Sequence, residues 1–244
     1  MSTAVLEQPG ADELRFDVPL YTQVDASRAL AMRPRTFAAW AQGYERRRAG
    51  RPPVVGRPLI TYLQPAHTGD PSIPFVGLAE AAFLASLRAA GVPLQRIRPA
   101  LELVRDRLGV EHALASRQLY TDGADLLWEV TDRDEDARAE AKKLVVLRNG
   151  QYVFRKVVED RLRGIHYAAD GFADLLVLPD YEVAKVIADP TVNFGRPSFA
   201  HNGVPVDVVV GQVHAGDPVE EVADDFRLSV DEVTEAVFRA ERVG

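Results

Sequence analysis

The chain has 244 residues, 47% hydrophobic and 27% charged, with a formal net charge of −7, which is room for one large or two small cores. No apolar run reaches the roughly eighteen residues of a membrane span. The lack of cysteine excludes disulfides, thiol catalysis and the usual structural zinc sites. Met1–Leu14 has neither the basic region nor the apolar core of a signal peptide, so the expected compartment is the cytoplasm.

Residues 1–17 read as a flexible tail. From Tyr21 to Trp40 the pattern is that of two short helices joined by a tight turn. Thr22 caps the first, with Asp25 three residues on in a short-armed capping box. Val24, Ser27 and Leu30 fall on one face at helical spacing, and the small Ser27 suits a close helix crossing. Met32 lies in the turn, and Pro34 fits the first position of the second helix. Phe37 and Trp40 then point inward while Arg33, Arg35 and Thr36 stay outside. This is a helix-turn-helix layout, whose second helix enters a DNA groove. The bland alternative is an ordinary helical hairpin in a core.

Local charge separates the two. Between Ala26 and Ile60 there are eight arginines (28, 33, 35, 46, 47, 48, 51 and 57), no lysine, and one acid, Glu45. A basic patch on an otherwise acidic chain is the footprint of nucleic acid, and arginine favours bidentate contacts to phosphate or guanine. The candidate DNA contacts are Arg33, Arg35, Thr36, Arg46, Arg47, Arg48 and Arg51. The arginine-, proline- and glycine-rich stretch after Trp40 is predicted as a loop, with Leu59–Leu63 as a short strand, together forming a wing that grips phosphates.

Two helices follow within Phe75–Gly109, ended by Gly91 and Gly109, with Leu78, Ala82 and Phe83 on one face and Leu101, Val104 and Leu108 on the other. Pro99 must lie in a first turn or kink the second helix. From Arg117 the period changes: Asp122–Gly123 and Asn149–Gly150 are hairpin turn signals. The charged Thr131–Lys143 is a solvated helix or loop. Arg155–Ala168 reads as helix, and Ala173–Leu178 and Glu182–Ile187 as strands. Asn193–Val206 is a glycine- and proline-punctuated loop.

Pro205 begins a helix carrying Val206, Val209, Val210 and Val213, which Gly216 ends. Asp217 and Glu220 are placed to cap the next helix, which turns Val219, Val222, Ala223 and Phe226 inward. Ser229 and Glu232 cap the last, which turns Val233, Ala236, Val237 and Ala240 inward. From Asp217 to Arg242 nine acids face three arginines. That surface repels phosphate and suits a basic protein partner, with Asp217, Glu220, Glu221, Asp224, Asp225, Glu232 and Glu235 as candidate contacts.

The expected fold is α+β, mainly α: a winged helix-turn-helix region with supporting helices (18–115), a small mixed sheet region (116–185) and a tri-helical module (186–244). The five histidines (67, 112, 166, 201 and 214) are scattered, and neither a GxxxxGK[ST] nor a GxGxxG loop is present. Asp224 and Asp225, about 100° apart on a helix, make a poor metal clamp. No catalytic residue, cofactor or metal is expected.

Two stretches resemble known families. Tyr21–Trp40 resembles the N-terminal helix-turn-helix of MerR-like regulators. Asp189–Pro190, Gly195–Arg196–Pro197, Gly203–Val204–Pro205, Ala215–Gly216 and Glu220–Phe226 are similar to the small helical domain found in VapB-type antitoxins, although His201–Asn202–Gly203 stands where that family has Gly-Thr-Arg. The resemblance implies a protein that binds and silences a cognate PIN-domain ribonuclease toxin and represses the shared operon through operator DNA. Helix-turn-helix proteins usually bind two half-sites, so a homodimer is expected. The alternatives are a stand-alone regulator answering to a small ligand and, least favoured, a hydrolase.

Overall fold

The computed structural model describes residues 9–48, 50–89, 101, 109, 111–119 and 164–243. The hairpin signals at 122–123 and 149–150, the charged stretch 131–143, Gly91, Pro99, Val104, Leu108 and residues 155–163 lie outside them. The described elements are α1 (Ala11–Phe16), α2 (Gln23–Ala29), α3 (Pro34–Ala41), β1 (Tyr44–Arg48), β2 (Arg51–Gly56), α4 (Phe75–Ala89), β3 (Ile165–Tyr167), β4 (Ala173–Val177), β5 (Val186–Ala188), β6 (Ser198–Phe199), α5 (Val206–Ala215), α6 (Val219–Phe226) and α7 (Val230–Val243). The fold is α+β, mainly α, with an N-terminal helix-turn-helix and, among the described residues, two small antiparallel sheets, β1–β2 and β3–β4–β5–β6.

The core forms around α4. Its run of apolar and small residues buries Phe75, Leu78, Phe83, Leu84 and Leu87, and one apolar cluster extends from there to Phe37 and Trp40 of α3, Leu176 and Val186 of the sheet, and Val209 and Val233 of the C-terminal helices. Such a helix, apolar on nearly all sides, must lie inside the molecule. Leu101 is also helical and buried.

Four expectations are corrected. First, residues 9–17 are no loose tail. The Gly10 N–H donates to Glu13, α1 follows, and Arg15, 5% exposed, reaches Asp170 with both terminal nitrogens (3.2 and 2.5 Å). Phe16 stacks edge-on against Phe172. Second, Leu59–Leu63 is not a strand. It is an irregular strap whose N–H groups turn elsewhere: Leu59 donates to the Trp40 carbonyl at 2.7 Å and Thr61 to the buried carboxylate of Glu80 at 2.5 Å. Gly77 makes room for it, since a Cβ there would meet the Thr61 carbonyl oxygen at 2.4 Å. Third, Ile165–Tyr167, expected in a helix, is β3, because β4 offers it a pairing edge. Fourth, the strand expected over Glu182–Ile187 is confined to Val186–Ala188, because the N–H groups of 182–184 bond to Glu235 instead of to a strand. The sheet itself runs across residue 185 and takes β6 from the segment read as a loop.

Tyr21 joins the two ends of the chain. Its N–H donates to the Ile73 carbonyl, and its own carbonyl accepts from Ser72 and Ile73. Its buried hydroxyl donates to the Gly195 carbonyl at 2.8 Å, 174 residues away. Gly195 lies at φ +78, after Asn193 and Phe194, also left-handed, and an added Cβ would sit 2.1 Å from the tyrosine oxygen.

Gly195→Ala is expected to lower stability by at least about 2 kcal/mol through overpacking and left-handed strain, and Tyr21→Phe by about 1–2 kcal/mol through the orphaned carbonyl, both read as urea midpoints. The hydrogen bond from Arg15 holds the Asp170 carboxyl below the usual carboxylate range, against the opposing pull of burial. A depressed folded-state value contributes stability above the unfolded value near pH 4, and that stability is lost as pH falls through the folded value. Asp170→Asn should therefore weaken the protein at neutral pH and flatten the acid limb of a urea-midpoint series.

Candidate nucleic-acid interface

The α2–α3 unit is set by local chemistry. The Thr22 hydroxyl accepts from the Asp25 N–H (3.1 Å) and donates to its carboxylate (2.6 Å), so the short acidic arm engages the hydroxyl of the cap. Ala26, Ser27 and Leu30 are buried where α2 meets α3, and Ser27 folds its hydroxyl back onto the Val24 carbonyl at 2.8 Å. Val24, expected on that face, is 43% exposed: the contact stripe is rotated toward Ala26. The turn closes through the Met32 N–H to the Ser27 carbonyl, and Pro34 takes the first position of α3 as expected.

This seats Phe37 and Trp40 in the core and leaves Arg33, Arg35 and Thr36 exposed together at the start of α3, with exposed Arg28 on α2 before the turn. The basic segment after α3 corrects the expected loop. It is a two-stranded hairpin in which Tyr44 faces Gly56, Glu45 faces Val55, Arg46 faces Val54 and Arg48 faces Arg51, with a bulge between Arg46 and Arg48. Gly43 allows the sharp departure from α3: it lies at φ +78, and a Cβ there would strike the Gly56 carbonyl oxygen at 2.4 Å. Arg46, Arg47, Arg48 and Arg51 thus share one projecting hairpin. The only acid of the window, Glu45, pairs with Arg47 at 2.6 Å. Sequence reasoning does not single out Val54 and Val55, both more than half exposed on β2. The available signal is Gly50 between two short runs, a hairpin cue outweighed by Pro52 and Pro53.

The structure divides the seven candidate partner acids. Asp217, Glu220, Glu221, Asp224 and Asp225 are exposed on or beside α6. Glu232 and Glu235 are engaged within the chain. Glu232 closes a capping box with Ser229, accepting from its N–H (2.8 Å) and hydroxyl (2.9 Å). The Glu235 carboxylate accepts from the N–H groups of Glu182, Val183 and Ala184 at 2.6, 3.0 and 2.8 Å. Burial opposes ionisation there, but these donors outweigh it and hold the carboxyl below its ordinary range. The cap expected from Asp217 and Glu220 does not form: Pro218 is the N-cap residue, which puts Glu220 one place short of capping distance. Glu220 and Glu221 still lie in the first turn, where negative charge favours the helix.

The stretch that departs from the antitoxin pattern works locally. Asn202 donates to the Phe226 carbonyl at 2.9 Å, and His201 lies 3.4 Å from the Arg227 carbonyl, so both meet the C-terminal end of α6. Arg196 of the Gly-Arg-Pro motif pairs with Asp207 in the first turn of α5. His214 and His166 are exposed, His67 donates its backbone N–H to Asp70, and His112 contacts Thr61 at 2.9 Å. Among the described residues, no three acids or histidines converge on a point that could hold a metal, and no helix is long and apolar enough to cross a membrane.

Residues 19–101 match the family described as "Putative DNA-binding HTH domain", and residues 186–238 match "Protein of unknown function (DUF433)". Over 229 residues, 92% of this chain and 95% of the relative, the chain is 46% identical to "Putative antitoxin VapB45" of Mycobacterium tuberculosis (strain ATCC 25618 / H37Rv). The chain belongs to the VapB-type antitoxin family. A second relative from that strain, "Uncharacterized protein Rv2308", is 25% identical over 91% of this chain and 90% of its own length. The crystal structure of Rv2018 from Mycobacterium tuberculosis superposes with a TM-score of 0.73 at 41% identity, covering 91% of this chain and 99% of that one.

Two kinds of acid should separate in this VapB-type antitoxin. Asp224→Lys with Asp225→Lys is expected to change stability by no more than about 0.5 kcal/mol, since positive charge suits the end of a helix. Glu235→Ala should cost about 1–3 kcal/mol and speed amide hydrogen exchange at 182–184.

Proposed function

We propose that this antitoxin neutralises a cognate PIN-domain ribonuclease toxin through the acidic face of α6 and autorepresses its operon through the α3–hairpin surface. The observation that carries the reading is the exposed cluster of Arg33, Arg35 and Thr36 at the start of α3, followed at once by an arginine-rich hairpin, in a chain of net charge −7. In this reading Arg33 and Arg35 approach base edges and phosphates as the start of α3 enters the major groove. The hairpin arginines 46, 47, 48 and 51 hold the adjoining backbone, where contacts set affinity and register.

Asp217, Glu220, Glu221, Asp224 and Asp225 form the partner face, steering a basic toxin surface toward it. Glu232 and Glu235 are engaged within the chain, at the cap of α7 and on the 182–184 backbone. The protein acts as a homodimer in the cytoplasm, matching two operator half-sites, and performs no catalysis. The 46% identity to a protein named an antitoxin supports the first half of the reading, and the match to a DNA-binding helix-turn-helix family supports the second. A stand-alone regulator answering to a small ligand is the second reading; it predicts DNA binding without a partner gene.

Co-expression with the product of the adjacent gene tests the partner. A stable complex lost on Asp224→Lys/Asp225→Lys supports the reading, and a neighbour that lacks clustered nuclease carboxylates or fails to co-purify overturns it. For DNA, Arg35→Ala should weaken operator binding by about 1–3 kcal/mol. Replacing Arg46, Arg47 and Arg48 should instead flatten the dependence of affinity on salt by about one unit of slope per contact. A mobility shift over a salt series reads both. Binding indifferent to all four arginines would place the DNA elsewhere.

A further inference from the structure

The last helix, α7, buries Val233 and Ala236 against the rest of the chain. At about 100° per residue, the direction opposite those two carries Phe238, with Asp231 and Thr234 toward the start of the helix and Arg242 toward its end. Phe238 is 53% exposed, and Val230 at the start of the helix is 43% exposed. The Arg242 guanidinium lies over the Phe238 ring, 5.3 Å from its centroid. Thr234 donates its hydroxyl back to the Val230 carbonyl at 2.7 Å, so its donor is satisfied within the helix. Beside α7, Val183 is 59% exposed and is held there by its N–H bond to Glu235 at 3.0 Å, one turn before Phe238. Clustered apolar exposure of this kind, rimmed by charge, marks a contact with another protein surface.

The charges on this face are sorted along the axis, with exposed Asp231 in the first turn and exposed Arg242 in the last, about 16 Å apart. Two parallel copies of α7 would set acid against acid and guanidinium against guanidinium. Two antiparallel copies related by a two-fold axis set Asp231 of each opposite Arg242 of the other, and meet near Thr234 and Phe238. We propose that α7 is the face through which two copies of this chain pair, antiparallel, with Phe238 at the centre and an Asp231–Arg242 pair at each end. The same patch serves both partners, as a two-fold interface requires. Glu235 and Arg239, on the same side, already act on each other within the chain, and Glu241 lies round toward Val230, off the line of contact. The exposed acids of α6 would instead repel a second copy of themselves, so self-pairing and the toxin face fall on different helices. This placement rests on the homodimer proposed above. A single helix of about 21 Å buries an area at the small end of specific interfaces, and the pairing is reversible with a Kd of about 1–100 µM.

Sedimentation equilibrium of the full chain over a micromolar concentration series tests this. The wild type is expected to pass from monomer to dimer. Phe238→Glu should weaken pairing at least about tenfold, and Asp231→Arg or Arg242→Asp alone by about as much. The deciding arm mixes the last two variants. One chain is then positive at both ends of the face and the other negative, so the mixed dimer should regain close to wild-type affinity while each variant alone stays monomeric. Dimerisation unchanged by Phe238→Glu, or a mixture that pairs no better than its components, overturns the site and leaves the homodimer standing. A wild type that stays monomeric across the series overturns both. Loss of the complex with the adjacent gene product in Phe238→Glu, with the mass of the antitoxin alone unchanged, would give the face to the toxin and overturn the pairing. If either charge variant fails to fold, Phe238→Glu decides alone.

Discussion

The Tyr21 hydroxyl and the Gly195 carbonyl form the contact on which the arrangement of this molecule turns. Tyr21 immediately precedes the cap of α2, and its backbone is fixed on both sides by Ser72 and Ile73. The loop that meets it belongs to the C-terminal module and takes three successive left-handed residues to bring its carbonyl into position. Only glycine fits at the last of them. Burial, with the nearby charge of Asp189, pushes the phenol well above its ordinary range. It therefore stays protonated and remains a donor across the working pH range. The antitoxin-like module and the helix-turn-helix are held as neighbours by a neutral hydrogen bond, which salt does not screen as it screens exposed ion pairs.

Around this joint the charges are sorted by depth. Glu80, Glu232 and Glu235 are used inside the chain: Glu80 secures the strap, Glu232 caps α7, and Glu235 gathers the loop before β5. The acids of α6 and the arginines at the start of α3 stay exposed. The same residue type thus does different work according to how many backbone N–H groups surround it. A count of acids between 217 and 242 measures the electrostatic character of the module but cannot assign each carboxylate its task.

Sequence patterns carried the local structure well where they encode it locally. The Thr22 cap, the Pro34 start, the inward Phe37 and Trp40, the Ser229–Glu232 box and the Gly216 stop all depend on residues within four positions of one another. The misread elements depend on distant partners. Ile165–Tyr167 becomes a strand because β4 lies beside it, Leu59–Leu63 loses its strand because Glu80 takes an N–H, and Arg15 is ordered by a carboxylate 155 residues later. The arginine cluster was legible as charge, but its hairpin geometry was hidden by Pro52 and Pro53, which suggest a loop and instead sit in a two-stranded ribbon.

The Arg15–Asp170 pair has a practical corollary for anyone dissecting the molecule. Cutting the chain between its N-terminal family-matched region and Asp170 would separate a guanidinium that is almost wholly enclosed from one of the two carboxylates that pair with it. Each fragment would also expose the aromatic faces that Phe16 and Phe172 present to each other. Trimming the first fifteen residues, as is often done to tidy an expression clone, removes the same partner. Recombinant halves of this protein would consequently report on damaged surfaces, and mapping of its contacts belongs on the intact polypeptide.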